Sequence, residues 1–406
     1  RNNGRRRTLG EVMQATKNTL SSVYKLGFCL IGDPAVKMAY PEFGMKVTTV
    51  NGQSVDGNSI SFKALEKITV EGEVLDVSGQ LVTDFTGIVN PTVKDSKVTV
   101  TCLKNSNKDD SPAFTFTDYP NTIFIGNDSV RNGKFSFTFT VPKDISYSNL
   151  QGKMNLYAVD TESGNEAQGN FDNFIVGGTS DTAETDTIGP EIRALYLNDT
   201  TFVDGGQVNT TPYFVAELWD KSGVNITGSS VGHDMMLVID ESTVLSYNLN
   251  SYYELLPGED GTGIVKFPIP ALEPGKHTAE FWVWDILNNS TVRTFTFEVV
   301  EGLKPFLFDV IATPGIAREQ VTFHLMHNRP ESRMRVGIMV YDLAGRQLWK
   351  HEESGTSGLF ENYTVSWDLT SGGARMRPGV YIYRAAISTD NSKDATKARK
   401  FIILGE

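Results

Sequence analysis

Lys134-Phe135-Ser136-Phe137-Thr138-Phe139-Thr140-Val141 alternates apolar and polar residues without a break. In an extended chain successive side chains point to opposite faces, so this octet predicts a β-strand with three Phe rings and a Val on one face. The same alternation recurs outward in both directions. Ile60/Phe62/Ala64, Ile68/Val70/Gly72/Val74 and Val98/Val100/Cys102 precede it. Thr211–Trp219, Met235–Ile239, Thr278–Trp284 and Thr291–Val300 follow, then Val336/Ile338/Val340, Gly379–Ile387 and Ala398–Leu404. Many short strands separated by Gly, Asn, Asp and Pro predict an all-β protein of antiparallel sandwiches.

Composition agrees. The chain has 406 residues, with 23 Phe, 14 Tyr and 37 Gly, which suits β-structure and roughly two to four domains. Two polar, non-alternating stretches predict linkers: Gly177-Gly178-Thr179-Ser180 through Gly189-Pro190, and Glu301-Gly302-Leu303-Lys304-Pro305. A weak repeat of the form apolar, apolar, Asp, any, small, Gly occurs at Val74–Gly79, Leu218–Gly223 and Val340–Gly345. Each copy predicts a turn in which Asp76, Asp220 or Asp342 accepts backbone N–H bonds and the Gly supplies positive φ. One copy per sandwich gives three sandwiches, with boundaries at 45–177, 178–301 and 302–406. Calcium binding is the rival reading of these Asp residues, but one carboxylate per turn supplies too few ligands.

Residues 1–44 differ from the rest. Thr8-Leu9-Gly10-Glu11 has capping-box spacing, and Leu9, Val12, Met13, Thr16, Leu20 and Val23 predict a helix over about 8–25. An apolar strand at Phe28–Ile31 and the turn Gly32-Asp33-Pro34 come next. One helix and one strand cannot bury a core, so they predict the last elements of a larger α/β domain. The first residue is Arg with no signal peptide before it, so the chain reads as part of a longer or processed protein. Arg5-Arg6-Arg7 is either a solvated connector or a protease-sensitive basic site.

The net charge of −12 is unevenly placed: residues 1–45 carry 7 basic and 3 acidic residues, 46–301 carry 16 and 35, and 302–406 carry 14 and 11. The acidic middle disfavours nucleic acid and anionic membranes as partners. The mildly basic last third is a possible docking piece. Two cysteines cannot form a disulfide framework, and Cys29 and Cys102 read as buried free thiols.

Chemistry is sparse. All five His lie at 233 or later, far in sequence from both Cys, so no thiol nucleophile has an evident base. His324 and His327 would face opposite sides of one strand and could not chelate one ion. There is no GxSxG elbow, Walker loop, HExxH or CxxC. Asn-x-Ser/Thr at Asn127, Asn198, Asn209, Asn225, Asn288, Asn289 and Asn362 has meaning only in a host that glycosylates Asn. The residues thus indicate no catalytic group, no metal and no cofactor. Trp282 and Trp284 share a strand face and are candidates for carbohydrate stacking, although Phe281 and Val283 make the opposite face apolar too, which favours core packing.

Two stretches carry a family resemblance. Leu30-Ile31-Gly32-Asp33-Pro34-Ala35-Val36-Lys37-Met38-Ala39-Tyr40-Pro41 resembles the closing segment of gingipain-type cysteine peptidase domains, in particular Gly32, Asp33, Pro34, Tyr40 and Pro41. Thr313-Pro314, then Tyr341, Asp342, Gly345 and Arg346, then Trp367-Asp368, Gly379 and Tyr381, are similar to the C-terminal sorting domains of type IX secretion substrates in Bacteroidetes. That family usually has Asn-Pro where this chain has Thr313-Pro314, and often Asp-Gly where it has Asp368-Leu369.

Both ends together resemble the PorU-type sortases of that secretion system. The resemblance implies three Ig-like or Greek-key sandwiches preceded by the last helix and strand of a caspase-like α/β peptidase domain. It implies a whole protein that uses upstream His and Cys residues to cleave sorting domains from cargo and attach the cargo to anionic lipopolysaccharide. This chain would be its non-catalytic scaffold and anchor at the outer-membrane surface, docked on a β-barrel of the PorV type. Two other readings stay open. One is a gingipain-like secreted protease with a cleavable sorting signal, and the other is a multi-sandwich adhesin or carbohydrate-binding protein.

Overall fold

The computed structural model describes residues 7–38, 40–103, 112–181, 186–228, 232–256, 261–389 and 392–405. Three large apolar cores lie along the chain, at 45–176, 197–299 and 307–403, with a small further cluster of Tyr196, Val215 and Ile264. Each is enclosed by β-strands, so the all-β reading with three β units is what the chain adopts.

In the first unit, eight strands are β1 (Phe43–Val50), β2 (Lys67–Leu75), β3 (Gly87–Lys94), β4 (Thr122–Ile125), β5 (Asp128–Arg131), β6 (Lys134–Thr140), β7 (Lys153–Asp160) and β8 (Glu166–Phe171). The opening octet falls on β6, with Phe135, Phe137 and Phe139 buried and Lys134, Ser136 and Thr138 exposed. Pairing runs β1–β2–β6–β5–β3–β7–β8, and β8 returns to β1 in parallel, so the larger sheet closes into a ring. Closure brings β3 and β7 very near each other: a Cβ on Gly87 would lie 1.9 Å from the carbonyl oxygen of Val159. Only glycine fits there. β4 adds to β3 outside the ring, and a smaller sheet of Ile60–Ala64, Leu150–Gln151 and Phe174–Thr179 covers another side of the core.

The second unit packs a four-stranded sheet (Glu191–Leu197, Tyr213–Trp219, Thr262–Pro268, Tyr253–Leu255) on a five-stranded one built around Gly275–Trp284. The third packs Leu307–Thr313, Val321–His327 and Tyr363–Trp367 on a five-stranded sheet centred on Gly379–Ser388. These are two-layer sandwiches with interdigitated inner faces.

Several local expectations need correction. The helix α1 spans Leu9–Thr19 and carries the capping box, with Thr8 Oγ1 accepting from Glu11 N and Glu11 Oε2 from Thr8 N. It stops before the predicted end because Ser22 caps a separate turn at Val23–Gly27. Phe28–Ile31 forms no strand, since among the described residues no strand edge pairs with it. Both cysteines are exposed. Among the described residues Val98–Thr101, which Cys102 follows, pairs only with Thr115–Asp118, in a two-stranded ribbon whose residues are half-buried or exposed. Trp282 and Trp284 are half-buried on the outer face of their strand, while Phe281 and Val283 fill the core. Arg5 and Arg6 lie outside the described residues.

Candidate functional site

Gly32, Asp33, Pro34, Tyr40 and Pro41, expected from the resemblance to close a peptidase domain, form a local turn structure. Asp33 Oδ1 accepts from Ala35 N at 2.8 Å, which turns the chain after Gly32, whose φ is +133°. The segment then folds back on the start of α1, where Leu9 N donates to Val36 O and Gly10 N to Pro34 O, at 2.8 and 2.9 Å. Two N–H groups that a helix start leaves without partners are thereby satisfied. Tyr40 is exposed, with its hydroxyl 3.3 Å from Met38 Sδ, and Pro41 is half-buried. No residue of α1 is buried, and Val23, Tyr24, Leu26, Phe28 and Ile31 are all more than 60% exposed. So many large apolar side chains in water form a patch of the kind that contacts other protein.

The residues expected from the resemblance to a sorting domain divide into an exposed tip and an internal brace. Tyr341 ends its strand and Asp342 opens the turn, accepting from Ala344 N and Arg346 N at 3.0 and 2.9 Å, while Arg346 Nε donates to the other carboxylate oxygen at 3.1 Å. Gly345 holds φ at +82°. The Arg346 N–H and guanidinium keep the Asp342 carboxyl below its ordinary range. In the brace, Trp367 stacks on Trp349 with centroids 4.5 Å apart and donates its indole N–H to Thr370 O at 2.8 Å. Tyr381 donates its hydroxyl to Arg377 O and packs 5.9 Å from Phe401, which Trp367 also touches. Gly379 starts the central strand beside Tyr381. The motif residues thus include a buried group around Phe401 and a solvent-facing turn.

Asp76 and Asp220 form the turns their repeat predicts. Asp76 Oδ1 accepts from Ser78 N and Gln80 N, and Asp220 Oδ1 from Ser222 N and Gly223 N. Asp220 differs in its neighbours. Carboxylate oxygens of Asp186, Asp220 and Asp285 lie within 4.8 Å of one another, so the expectation of one carboxylate per turn fails here. Among the described residues these three are the group able to share a hard cation. Their oxygens are also occupied by protein donors: Ser222 Oγ and Ile188 N bond Asp186, and Leu287 N, Asn289 N and Asn289 Nδ2 bond Asp285. Burial pushes the Asp220 carboxyl up to about 6 and raises that of Asp285. Asp285 was not singled out in sequence because its turn ends in Asn288, at φ +74°, where the repeat has Gly.

Sequence reading also missed the contact between the first two units. Asp144 meets His233, Asn225 and Asn288 there, and His233 lies over Trp284 with centroids 4.5 Å apart. His324 and His327 share the strand Val321–His327, and burial lowers His327 to about 4.

Against known structures, the whole chain aligns with PorU from Porphyromonas gingivalis, in the crystal structure of its dimeric latent form, at 38% identity and a TM-score of 0.42. The match spans 38% of that chain. Chicken CNTN1 FN1-FN3 domains align over 89% of this chain and 99% of theirs at 7% identity and a TM-score of 0.21. The Ig1-2 module of the Drosophila receptor phosphatase DLAR aligns over 54% and 100% at 10% identity and a TM-score of 0.22. No family model and no curated protein matches the chain.

Proposed function

We propose, from the premise that the chain is PorU-like in sequence from end to end, that it serves type IX secretion as the C-terminal, non-catalytic part of a sortase. In this reading residues 1–44 close a gingipain-type peptidase domain that lies upstream and holds the catalytic His and Cys. The whole protein cleaves sorting domains from cargo and attaches the cargo to anionic lipopolysaccharide at the cell surface. The three β units are the scaffold, and residues 302–406 anchor it by docking on an outer-membrane β-barrel of the PorV type.

The observation that carries the reading is 38% identity maintained over the full 406 residues. The bare apolar surface around α1 supports the upstream domain, since a surface so rich in Val, Leu, Phe and Ile is stable when packed. The exposed Asp342–Arg346 turn and the mildly basic third unit support docking.

Deleting residues 302–406 from the full-length protein tests the anchor. Loss of the protein from the outer membrane, measured by fractionation, is expected. Unchanged retention would overturn the anchoring role.

A further inference from the structure

The ring of the first unit is closed only along part of its height. β6 runs to Thr140, yet β5 pairs with it only at Lys134 and Phe135. On the far side β3 continues past β5 and pairs with β4 instead. Above β5, β6 and β4 therefore flank a cleft of about 720 Å³, backed by Tyr253–Leu255 of the second unit.

The hydrogen-bond phase shows which backbone groups face it. Val74 N donates to Gly133 O and Val141 N to Glu66 O, so odd-numbered residues of β6 exchange bonds with β2. In an antiparallel ladder the alternate residues point the other way, which turns the N–H and C=O of Thr138 and Thr140 toward the cleft. The bond Gly126 N to Pro91 O sets Ile125 outward by the same alternation, and Leu256 N to Thr262 O sets Leu255 outward, where its carbonyl accepts from Asn127 Nδ2 at 2.7 Å. Among the described residues no strand pairs with β6 on this side beyond Phe135, nor with the outer edge of β4 or of Tyr253–Leu255. Three strand edges thus line one cleft. Its floor is aromatic: Phe124 of β4 reaches Phe139 of β6 with ring centroids 4.7 Å apart.

We propose that this cleft binds an extended segment of another polypeptide, which completes the sheet as an added strand, places apolar side chains on Phe124, Phe137 and Phe139, and presents acidic side chains outward. Added strands gain affinity from main-chain bonds and specificity from alternate side chains. The acidic preference follows from charge. Residues 46–301 carry 35 acidic and 16 basic residues, yet the cleft is lined by Lys67, Arg131 and Lys221 against Asp128 and Asp220, with Lys67 opposite the far end of β6 and Arg131 just below the start of its open part. The open part of β6, Ser136 to Thr140, spans roughly 17 Å, the length of about five extended residues. This inference stands apart from the sortase reading.

The probes are two fluorescein-labelled decapeptides that alternate Val with Glu or Val with Lys, tested by anisotropy and amide hydrogen exchange on the intact 406-residue chain. The Glu peptide is expected to bind and to slow exchange at Ile125, Thr138 and Thr140. Arg131→Glu and Lys67→Glu, both at exposed positions, should each weaken it at least tenfold with an unchanged circular dichroism spectrum, and Thr138→Pro, which removes one N–H facing the cleft, should do the same. Equal binding of the Lys peptide, protection confined to other amides, or no binding of either peptide overturns the proposal. Concentration-dependent protection of the same amides without peptide also overturns it, because the occupant is then a second copy of this chain.

Discussion

His233 Nδ1 lies 2.6 Å from Asp144 Oδ2, and the two residues belong to different β units. Asp144 also accepts from Asn288 Nδ2 at 2.9 Å, so one nearly buried carboxylate ties two segments of the second unit to the first. Beside it, the Lys143 amide donates to Ile286 O at 2.8 Å.

Asp144→Ala should loosen this junction without unfolding either core. Hydrogen bonds to a charged group contribute about 1.5–3 kcal/mol, so exchange of the Lys143 amide should accelerate roughly tenfold or more. Core amides of β2 and of Gly275–Trp284 should be unaffected in the same experiment.

Asp220 should make the second unit less stable as pH rises. Its folded carboxyl titrates near 6 against 3.8 when free, so between these values the folded state holds more protons than the unfolded state. Stability therefore falls from about pH 4 to pH 6 and is level above that, and Asp285, shifted the same way, steepens the fall. Urea melts at pH 5 and 7 measure it, and Asp220→Asn should flatten the difference while its side-chain oxygen keeps the turn.

Gly87→Ala should damage the first unit severely. The added methyl group would meet Val159 O at 1.9 Å, a backbone atom that cannot move without opening the ring. Overpacking at such a place costs about 3 kcal/mol. A lowered denaturation midpoint for this unit alone is the expected readout.

Arg329 is 1% exposed and its guanidinium donates to the carbonyls of Leu303 and Lys304, at 3.1 and 3.4 Å, and to Asn328. Its Nε has no partner, and burial lowers its pKa to about 10. Arg329→Ala strands those carbonyls in the interior, at about 1–3 kcal/mol each where water cannot reach. The unfolding midpoint of the third unit, followed by Trp349 and Trp367 fluorescence, should drop.

Trp367→Ala removes a ring that is 4% exposed and stacked on Trp349. Truncating a buried Trp costs about 3–5 kcal/mol, which should unfold the third unit first and leave the other two cooperative. Separate calorimetric transitions would show this.

Much of this was legible in the sequence because it is local. Alternation at Phe135, Phe137 and Phe139 fixes which face of β6 is buried, and Asp followed by Gly at a set spacing gives the three turns. Thr8 and Glu11 fix the helix start in the same way. What was not legible depends on partners distant in the chain. Asp186 and Asp285 meet Asp220 only when a linker and two strand ends converge. Cys102 alternates correctly with Val98 and Val100, but alternation says nothing of whether another layer covers that face. Phe28–Ile31 has the composition of a strand, and no edge among the described residues pairs with it. The polar node at Asp144 rests on residues from two units, which no short window of sequence brings together.

The closed ring has a kinetic consequence. Its last seam joins Phe43 to Ala167, so the first residues of the unit pair with nearly the last. Bringing such distant segments together delays the reward for the entropy already lost, and sheets of this kind fold slowly. Until Gln168 is available the start of β1 lacks its parallel partner, and a chain emerging from its N-terminus must hold β1 and β2 with that flank open. The ring of the first unit therefore closes late.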